Sequence, residues 1–132
     1  MRSLALWNRL YLLIWLAFAQ FVLAALAEIF SFIVDIHFLV GLAVLAVAHL
    51  NYRDLKKTAA PARVKRISKS TAIMATVQPL LGLPIYAGTR MGFALPFEWV
   101  IGILHLIVAL TIISQASSTA TAYDMWEEKE LS

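Results

Sequence analysis

Four apolar segments, each long enough to cross a lipid bilayer, constrain this chain more than any other feature. Hydrophobic residues make up 61% of its 132 residues, and the mean hydropathy is +0.79. The hydrocarbon core of a bilayer is about 30 Å thick, which about 20 helical residues span. A single membrane domain covering residues 1–132 is therefore predicted. The four segments are residues 10–30, 32–50, 71–87 and 97–114.

Short connections between these segments predict a bundle made of two helical hairpins. Almost nothing separates the first two segments, so we expect a tight turn near residues 31–35, whereas residues 88–96 join the third and fourth. Pro79 and Pro84 fall inside the third segment, where proline is expected to kink the helix or to end it early. The predicted fold class is an all-α four-transmembrane-helix bundle.

The distribution of positive charge orients this bundle in the membrane. Seven of the eleven Lys and Arg residues crowd into residues 51–70 beside a single acid, Asp54. Connections rich in Lys and Arg stay in the cytoplasm, and Arg2 and Arg9 place the N-terminus there too. Four crossings put the acidic tail, residues 117–132, on the same side. We therefore predict a multi-pass protein of the plasma (inner) membrane with both ends inside (N-in/C-in).

The charged residues outside the spans have alternative roles. Topology accounts for the basic loop completely, but its cations also suit recognition of anionic lipid headgroups or docking of an acidic partner. The acidic tail either folds back on this loop or binds a soluble subunit. Near the outer surface, Glu28 and Asp35 are expected to pair with Arg90, the alternative being a proton entry.

The N-terminal segment has some features of a cleavable secretory signal. Arg2 and Arg9 precede a hydrophobic stretch that ends at the Ala-Leu-Ala of residues 25–27, a pattern that is typical of such signals. However, this stretch is longer than the usual apolar core of about 7–15 residues, and it contains Gln20. We interpret the segment as a retained first helix, with cleavage as the alternative.

Composition and motifs exclude several classes of protein. There is no cysteine, so disulfides, iron–sulfur clusters and thiolate metal sites are excluded. No segment resembles a nucleotide-binding loop, a nucleophile elbow or a zinc-protease helix. The net charge of +3 is explained by topology, so we predict membrane lipids, and not nucleic acid, as partners.

Two of the three histidines are predicted to meet in the outer half of the bundle. With helices starting near residues 32 and 97, His37 and His105 lie about 7 and 12 Å below the outer surface. Ionisable residues inside a bilayer are costly and tend to mark function, and facing histidines can hold a metal or a haem iron. We predict these two residues as metal ligands. His49 lies about 120° around its helix, at the cytoplasmic end, and is interpreted as an interfacial residue.

Glutamines and glycines share the faces of these two histidines. Gln20 and Gln78 lie mid-depth in the first helix of each hairpin, and an outer-half histidine follows each in the next helix. This pattern indicates a weak internal repeat, the alternative being a chance similarity. Two interpretations stay open: close packing with interhelical hydrogen bonds, or space and contacts for a flat macrocycle or a quinone. The predicted cofactor-binding residues are Gln20, His37, Gly41, Gln78, Gly102 and His105.

A few residues of the two hairpins carry a resemblance to a known class of membrane protein. They are Gln20, Asp35-Ile36-His37, Gln78 and Leu104-His105-Leu106. In this placement the chain resembles the four-helix haem bundles of membrane b-type cytochromes, the plan on which each half of haem A synthase is built. The resemblance implies His37 and His105 as the ligands of one haem b. The synthase family has a glutamate one turn before a ligand histidine; no Glu-x-x-x-His occurs here, which argues against synthase activity.

Three functions are consistent with these observations. The first is a haem b protein that transfers electrons in a membrane oxidoreductase, as in the anchor subunit of a quinone-linked enzyme. The second is a non-enzymatic accessory or scaffold subunit of a larger membrane complex or oligomer, for which the small size and the two charged segments provide docking surfaces. The third is a small transporter or metal-permeation unit. Three scattered methionines, Met74, Met91 and Met125, give it little further ligand chemistry.

Overall fold

Four α-helices account for nearly all of the chain in the computed structural model, which describes residues 4–131. They are α1 (Leu4–Ala27), α2 (Ile33–Leu55), α3 (Ala62–Met91) and α4 (Glu98–Leu131). All four are long and apolar enough to cross a membrane. The predicted all-α four-helix bundle is therefore confirmed. Arg2, part of the orientation argument, lies outside the described residues.

Each helix packs against its two neighbours in a closed square. α1 contacts α2, α2 contacts α3, α3 contacts α4, and α4 closes the square by contacting α1. Successive helices run in opposite directions because their connections are short. α2 and α4 consequently face each other across the diagonal of the bundle, which is the arrangement that brings the second helices of the two hairpins together.

The helices extend well past the apolar segments on the side of the basic connection, which is the side predicted to be cytoplasmic. α2 ends at Leu55 and α3 begins at Ala62, so only residues 56–61 connect them, and most of the predicted basic loop is helical. The predicted acidic tail continues α4, whose 34 residues span about 51 Å. Burial explains both extensions, because the buried positions recur every three or four residues: Val64, Ser68, Thr71 and Ala75 in α3, and Ala116, Ala120 and Tyr123 in α4.

Two hydrophobic clusters are stacked along the bundle axis. The cluster at the level of the membrane contains several small residues, which allow helices to approach closely in lipid: Leu13, Ala17, Val44, Ala48, Ala75, Ile112 and Ala116. The other cluster, called the cytoplasmic cluster after its predicted location, holds the helix extensions together: Leu6, Leu10, Leu55, Ala60, Val64, Ala120 and Tyr123. The tail thus packs as a helix within the bundle, and its Asp124 accepts hydrogen bonds from Trp7 (2.8 Å) and Tyr11 (3.4 Å) of α1.

The two prolines inside α3 do not end this helix. Pro79 and Pro84 lie inside the helix, which continues to Met91 and ends where Gly92 adopts a left-handed conformation (φ 74°). Neighbouring helices and side chains can compensate for the backbone hydrogen bonds that proline removes in a membrane. The other outer turn falls at residues 28–32, slightly before the predicted position.

An ion pair joins the outer ends of α2 and α3. Arg90 Nε donates a hydrogen bond to Asp35 Oδ1 (3.0 Å), and the Tyr86 hydroxyl donates to the same oxygen (2.6 Å). Arg90 also donates to the carbonyl of Ser31 (3.2 Å). The expected pairing of Asp35 with Arg90 is confirmed, whereas Glu28 is exposed in the outer turn.

Candidate functional site

The imidazole rings of His37 and His105 meet across the diagonal of the bundle. Their ring centroids are 6.3 Å apart and the ring planes are inclined at 67°. His37 lies about one helical turn from the start of α2 and His105 about two turns from the start of α4. The difference in depth is small enough for the side chains to bridge it, so both rings lie in the outer part of the interior.

α3 supports His105 through a close backbone approach. A Cβ atom added to Gly82 would lie 3.0 Å from His105 Cε1 and 3.6 Å from Nδ1. One turn earlier in α3, Gln78 Nε2 donates a hydrogen bond of 2.9 Å to the backbone carbonyl of His105. The same face of α3 therefore fixes both the backbone and the ring of this histidine.

α1 plays the corresponding part for His37. The backbone of Gln20 lies near the His37 imidazole, as the backbone of Gln78 lies near that of His105. The Gln20 side chain lies against α2, where a Cβ on Gly41 would be 2.9 Å from Gln20 Nε2. Each glutamine is thus placed beside the histidine of its own hairpin, the relation that the weak internal repeat describes.

Unsatisfied polar atoms are concentrated around the two rings. Within the described residues, His37 Nδ1, His105 Nδ1, Gln20 Oε1 and Gln78 Oε1 are all buried and have no hydrogen-bond partner. A buried polar atom without a partner costs about 1–3 kcal/mol, and such groups in a native fold call for an explanation such as a bound molecule. These four atoms, which lie around the two rings, are therefore the polar groups that any bound molecule would have to satisfy.

The remaining predicted residues are placed differently. Gly102, one turn before His105, has no atom within 4 Å of its Cβ position and lies beside open space. His49 is about 18 Å along α2 from His37, on an exposed part of the helix, where its Nε2 is hydrogen-bonded to Thr76 Oγ1 at 2.8 Å. His49 is therefore partnered and separate from the central pair.

The ligand set around the pair consists of two imidazoles. No group of three or more His, Asp or Glu residues that could hold a metal ion occurs among residues 4–131. Protein sites for zinc usually supply three or four ligands. A haem iron needs only axial ligands from the protein. The donor set therefore matches a haem iron better than a bare metal ion.

Gly82 contacts His105 but is not among the cofactor-binding residues predicted from the sequence. It lies four residues after Gln78 and so on the same helix face, but small residues at this spacing also serve ordinary packing in lipid. Only the crossing of α3 and α4 shows that its missing side chain leaves space for His105.

No protein-family model, curated protein or solved structure matches this chain. The resemblance to the haem bundles of b-type cytochromes therefore stays a prediction. What can be established is the coarser class, a small four-helix protein whose helices are suited to a multi-pass position in a membrane.

Proposed function

We propose that this protein binds one haem b between His37 and His105 and transfers electrons within a membrane oxidoreductase. The observation that carries the proposal is the meeting of two imidazoles from diagonal helices, 6.3 Å apart between ring centroids, at the level where buried polar atoms lack partners. When bound, haem supplies a reversible one-electron couple at its iron.

The residues present fit such a group by two criteria. Metal–imidazole bonds are about 2 Å long, so ring centroids 6.3 Å apart leave room for one metal atom between the rings. Gly41 and Gly82 also present no side chain towards the pair, and the space beside them is taken by Gln20 and His105. Binding of the macrocycle requires Gln20 and the two rings to move, and their unpaired atoms make that movement less costly.

The other residues of the site orient the ligands. A ligand histidine commonly donates its second ring N–H to a backbone carbonyl, which fixes the tautomer and the plane of the ring. The backbones of Gln20 and Gln78 are beside the rings for this role. The bond from the Gln78 side chain to the backbone of His105 holds α4 in register. Both histidines are partly buried in the bundle, and the exposure of a haem to solvent is one of the factors that set its potential.

The visible absorption spectrum of the purified protein, expressed with haem supplied, tests this proposal. We expect a Soret band that sharpens on dithionite reduction with resolved α and β bands, and one haem per chain by pyridine haemochrome assay. His37→Ala and His105→Ala should each abolish this low-spin spectrum. His49→Ala is the matched control, because His49 is bonded to Thr76 away from the pair, and it should keep the spectrum. Full haem retention in both single variants of the pair would overturn the proposal.

A second candidate is an accessory or scaffold subunit of a larger membrane complex. It is favoured by the cytoplasmic extension of the bundle, in which residues 115–131 of α4 continue for about 25 Å past the apolar segment. This candidate predicts a colourless protein that co-purifies with larger chains after mild solubilisation. A haem spectrum from a solitary chain would count against it. Metal permeation has no comparable support, since no group of three or more possible metal ligands occurs among residues 4–131.

A further inference from the structure

Two observed contacts along the seam between α2 and α3 lie two heptads apart, and their register defines four layers. Two contacts fix the register of these antiparallel helices: Asp35 with Arg90 at the outer end, and His49 with Thr76 towards the cytoplasm. In both pairs the residue numbers sum to 125, so stepping seven residues along each helix leads from one layer to the next. Two further layers follow from this register: Leu42 with Leu83, and Lys56 with Lys69.

Three of the four layers are complementary across the seam, and the fourth is not. Asp35 and Arg90 form an ion pair, and His49 and Thr76 share a hydrogen bond of 2.8 Å. The two leucines are both partly exposed, at 42% and 43%, as expected for lipid-facing side chains. The last layer brings two lysines to the same level. Two like charges side by side are unfavourable unless an anion lies between them.

Neither lysine of this layer is neutralised by an acid of the described chain. Lys69 is exposed, and the Lys56 ammonium lies over the ring of Tyr52, 5.0 Å from its centroid. The nearby acid, Asp54, is already shared by Arg9, Arg53 and Lys57. An anion from outside the protein is therefore the group that would complete the layer.

The depth of the two lysines in the membrane indicates which kind of anion would bind between them. Lys56 lies about 35 Å along α2 from its outer end at Ile33, and Lys69 lies about 33 Å along α3 from Met91. The hydrocarbon core is about 30 Å thick, so both ammonium groups lie just beyond it, at the level of lipid phosphates. Above them the seam presents Ile73 and the two leucines to acyl chains.

We propose that the α2–α3 seam binds one anionic phospholipid, with its phosphodiester between Lys56 and Lys69 and an acyl chain along the exposed leucines. The occupant is a lipid because charged and apolar layers adjoin at membrane depth. An acidic soluble protein would meet the cations from the water side and would gain nothing from the leucine layer. The proposal is independent of haem binding.

Native mass spectrometry of the protein in a neutral detergent, titrated with phosphatidylglycerol or phosphatidylcholine, tests it. We expect one phosphatidylglycerol to bind in preference to phosphatidylcholine. Each lysine near a membrane surface contributes enough attraction for its loss to weaken binding roughly fivefold. Lys69→Gln should therefore weaken binding of phosphatidylglycerol roughly fivefold, and Lys56→Gln with Lys69→Gln roughly 25-fold.

Arg63→Gln is the matched control for charge. Arg63 is exposed on the same helix, but it lies about 9 Å further from the membrane and about 120° around α3 from Lys69, so its loss should leave the affinity unchanged. Equal weakening by Arg63→Gln and Lys69→Gln would overturn the proposal, since the attraction would then be diffuse. So would equal affinity for the two lipids, or full competition by inorganic phosphate at the same concentration, which would show a phosphate site without a lipid component.

Discussion

At the scale of single residues, the space for the His105 ring depends on Gly82, which has no side chain. A Cβ on Gly82 would lie 3.0 Å from the imidazole, a separation at which the ring or the helix must shift. Interiors are close-packed and transmit such shifts. Gly102 is the informative contrast, because it lies in the adjoining helix one turn from the same histidine and meets nothing within 4 Å.

Replacing each of these glycines by alanine distinguishes the filled space beside Gly82 from the open space beside Gly102. Alanine in a helix is favoured over glycine by about 1 kcal/mol, so Gly102→Ala should leave the free energy of unfolding unchanged or raise it. Gly82→Ala gains the same propensity but overpacks the His105 ring, which typically costs about 1–3 kcal/mol. Unfolding in mixed micelles, followed by circular dichroism, measures both. A more stable Gly82→Ala variant would mean that His105 has free space on this side.

Residue spacing alone predicts part of this site. Hydropathy and helical rise bring His37 and His105 to similar depths, and the structure brings their rings to 6.3 Å. Sequence cannot predict which small residue touches which ring, because that depends on how α3 crosses α4. The sequence also cannot predict the hydrogen bond from Gln78 to the backbone of His105, because every residue has a backbone carbonyl and the residue type does not show which one accepts.

At the scale of elements, the cytoplasmic halves of the helices depend on one another. α4 after its apolar segment is polar in composition, yet Tyr123 is only 2% exposed and packs in the cytoplasmic cluster with Leu6, Leu55 and Val64. Hydropathy locates membrane spans but does not detect this packing, because its apolar residues are spread thinly over four helices. For that reason residues 51–70 and 117–132 are predicted from sequence as a loop and a tail.

Alanine substitution at Tyr123 tests whether the extension of α4 is part of the folded core. Truncating a buried aromatic side chain costs about 3 kcal/mol, so Tyr123→Ala should lower the free energy of unfolding by that order. Met125→Ala is the matched control, because Met125 lies two residues away and is 67% exposed. Thermal unfolding of both variants in the same detergent compares them. Equal stability would mean that residues 117–131 behave as a free arm.

At the scale of the whole molecule, different kinds of polar side chain lie at different depths along the bundle. An ion pair closes the outer end of the α2–α3 seam, the two central histidines follow within about two turns, and the lysine layer marks the opposite boundary. Beyond it, the four helices continue into a packed extension. With the predicted orientation and the proposed function, electron transfer at the histidine pair would occur nearer the outer surface, and the proposed lipid site would lie at the cytoplasmic end.

This division by depth requires the orientation that the cations predict, and the absence of cysteine makes that orientation simple to measure. Ala59→Cys lies in the exposed connection between α2 and α3, and Glu28→Cys lies in the exposed outer turn. Because positively charged connections stay in the cytoplasm, a membrane-impermeant maleimide should label Glu28→Cys in intact cells. It should label Ala59→Cys only after permeabilisation. Labelling of both variants after permeabilisation is the internal control for reactivity. The reverse pattern would place the histidine pair near the cytoplasm and the lysine layer outside, against both the orientation and the lipid site.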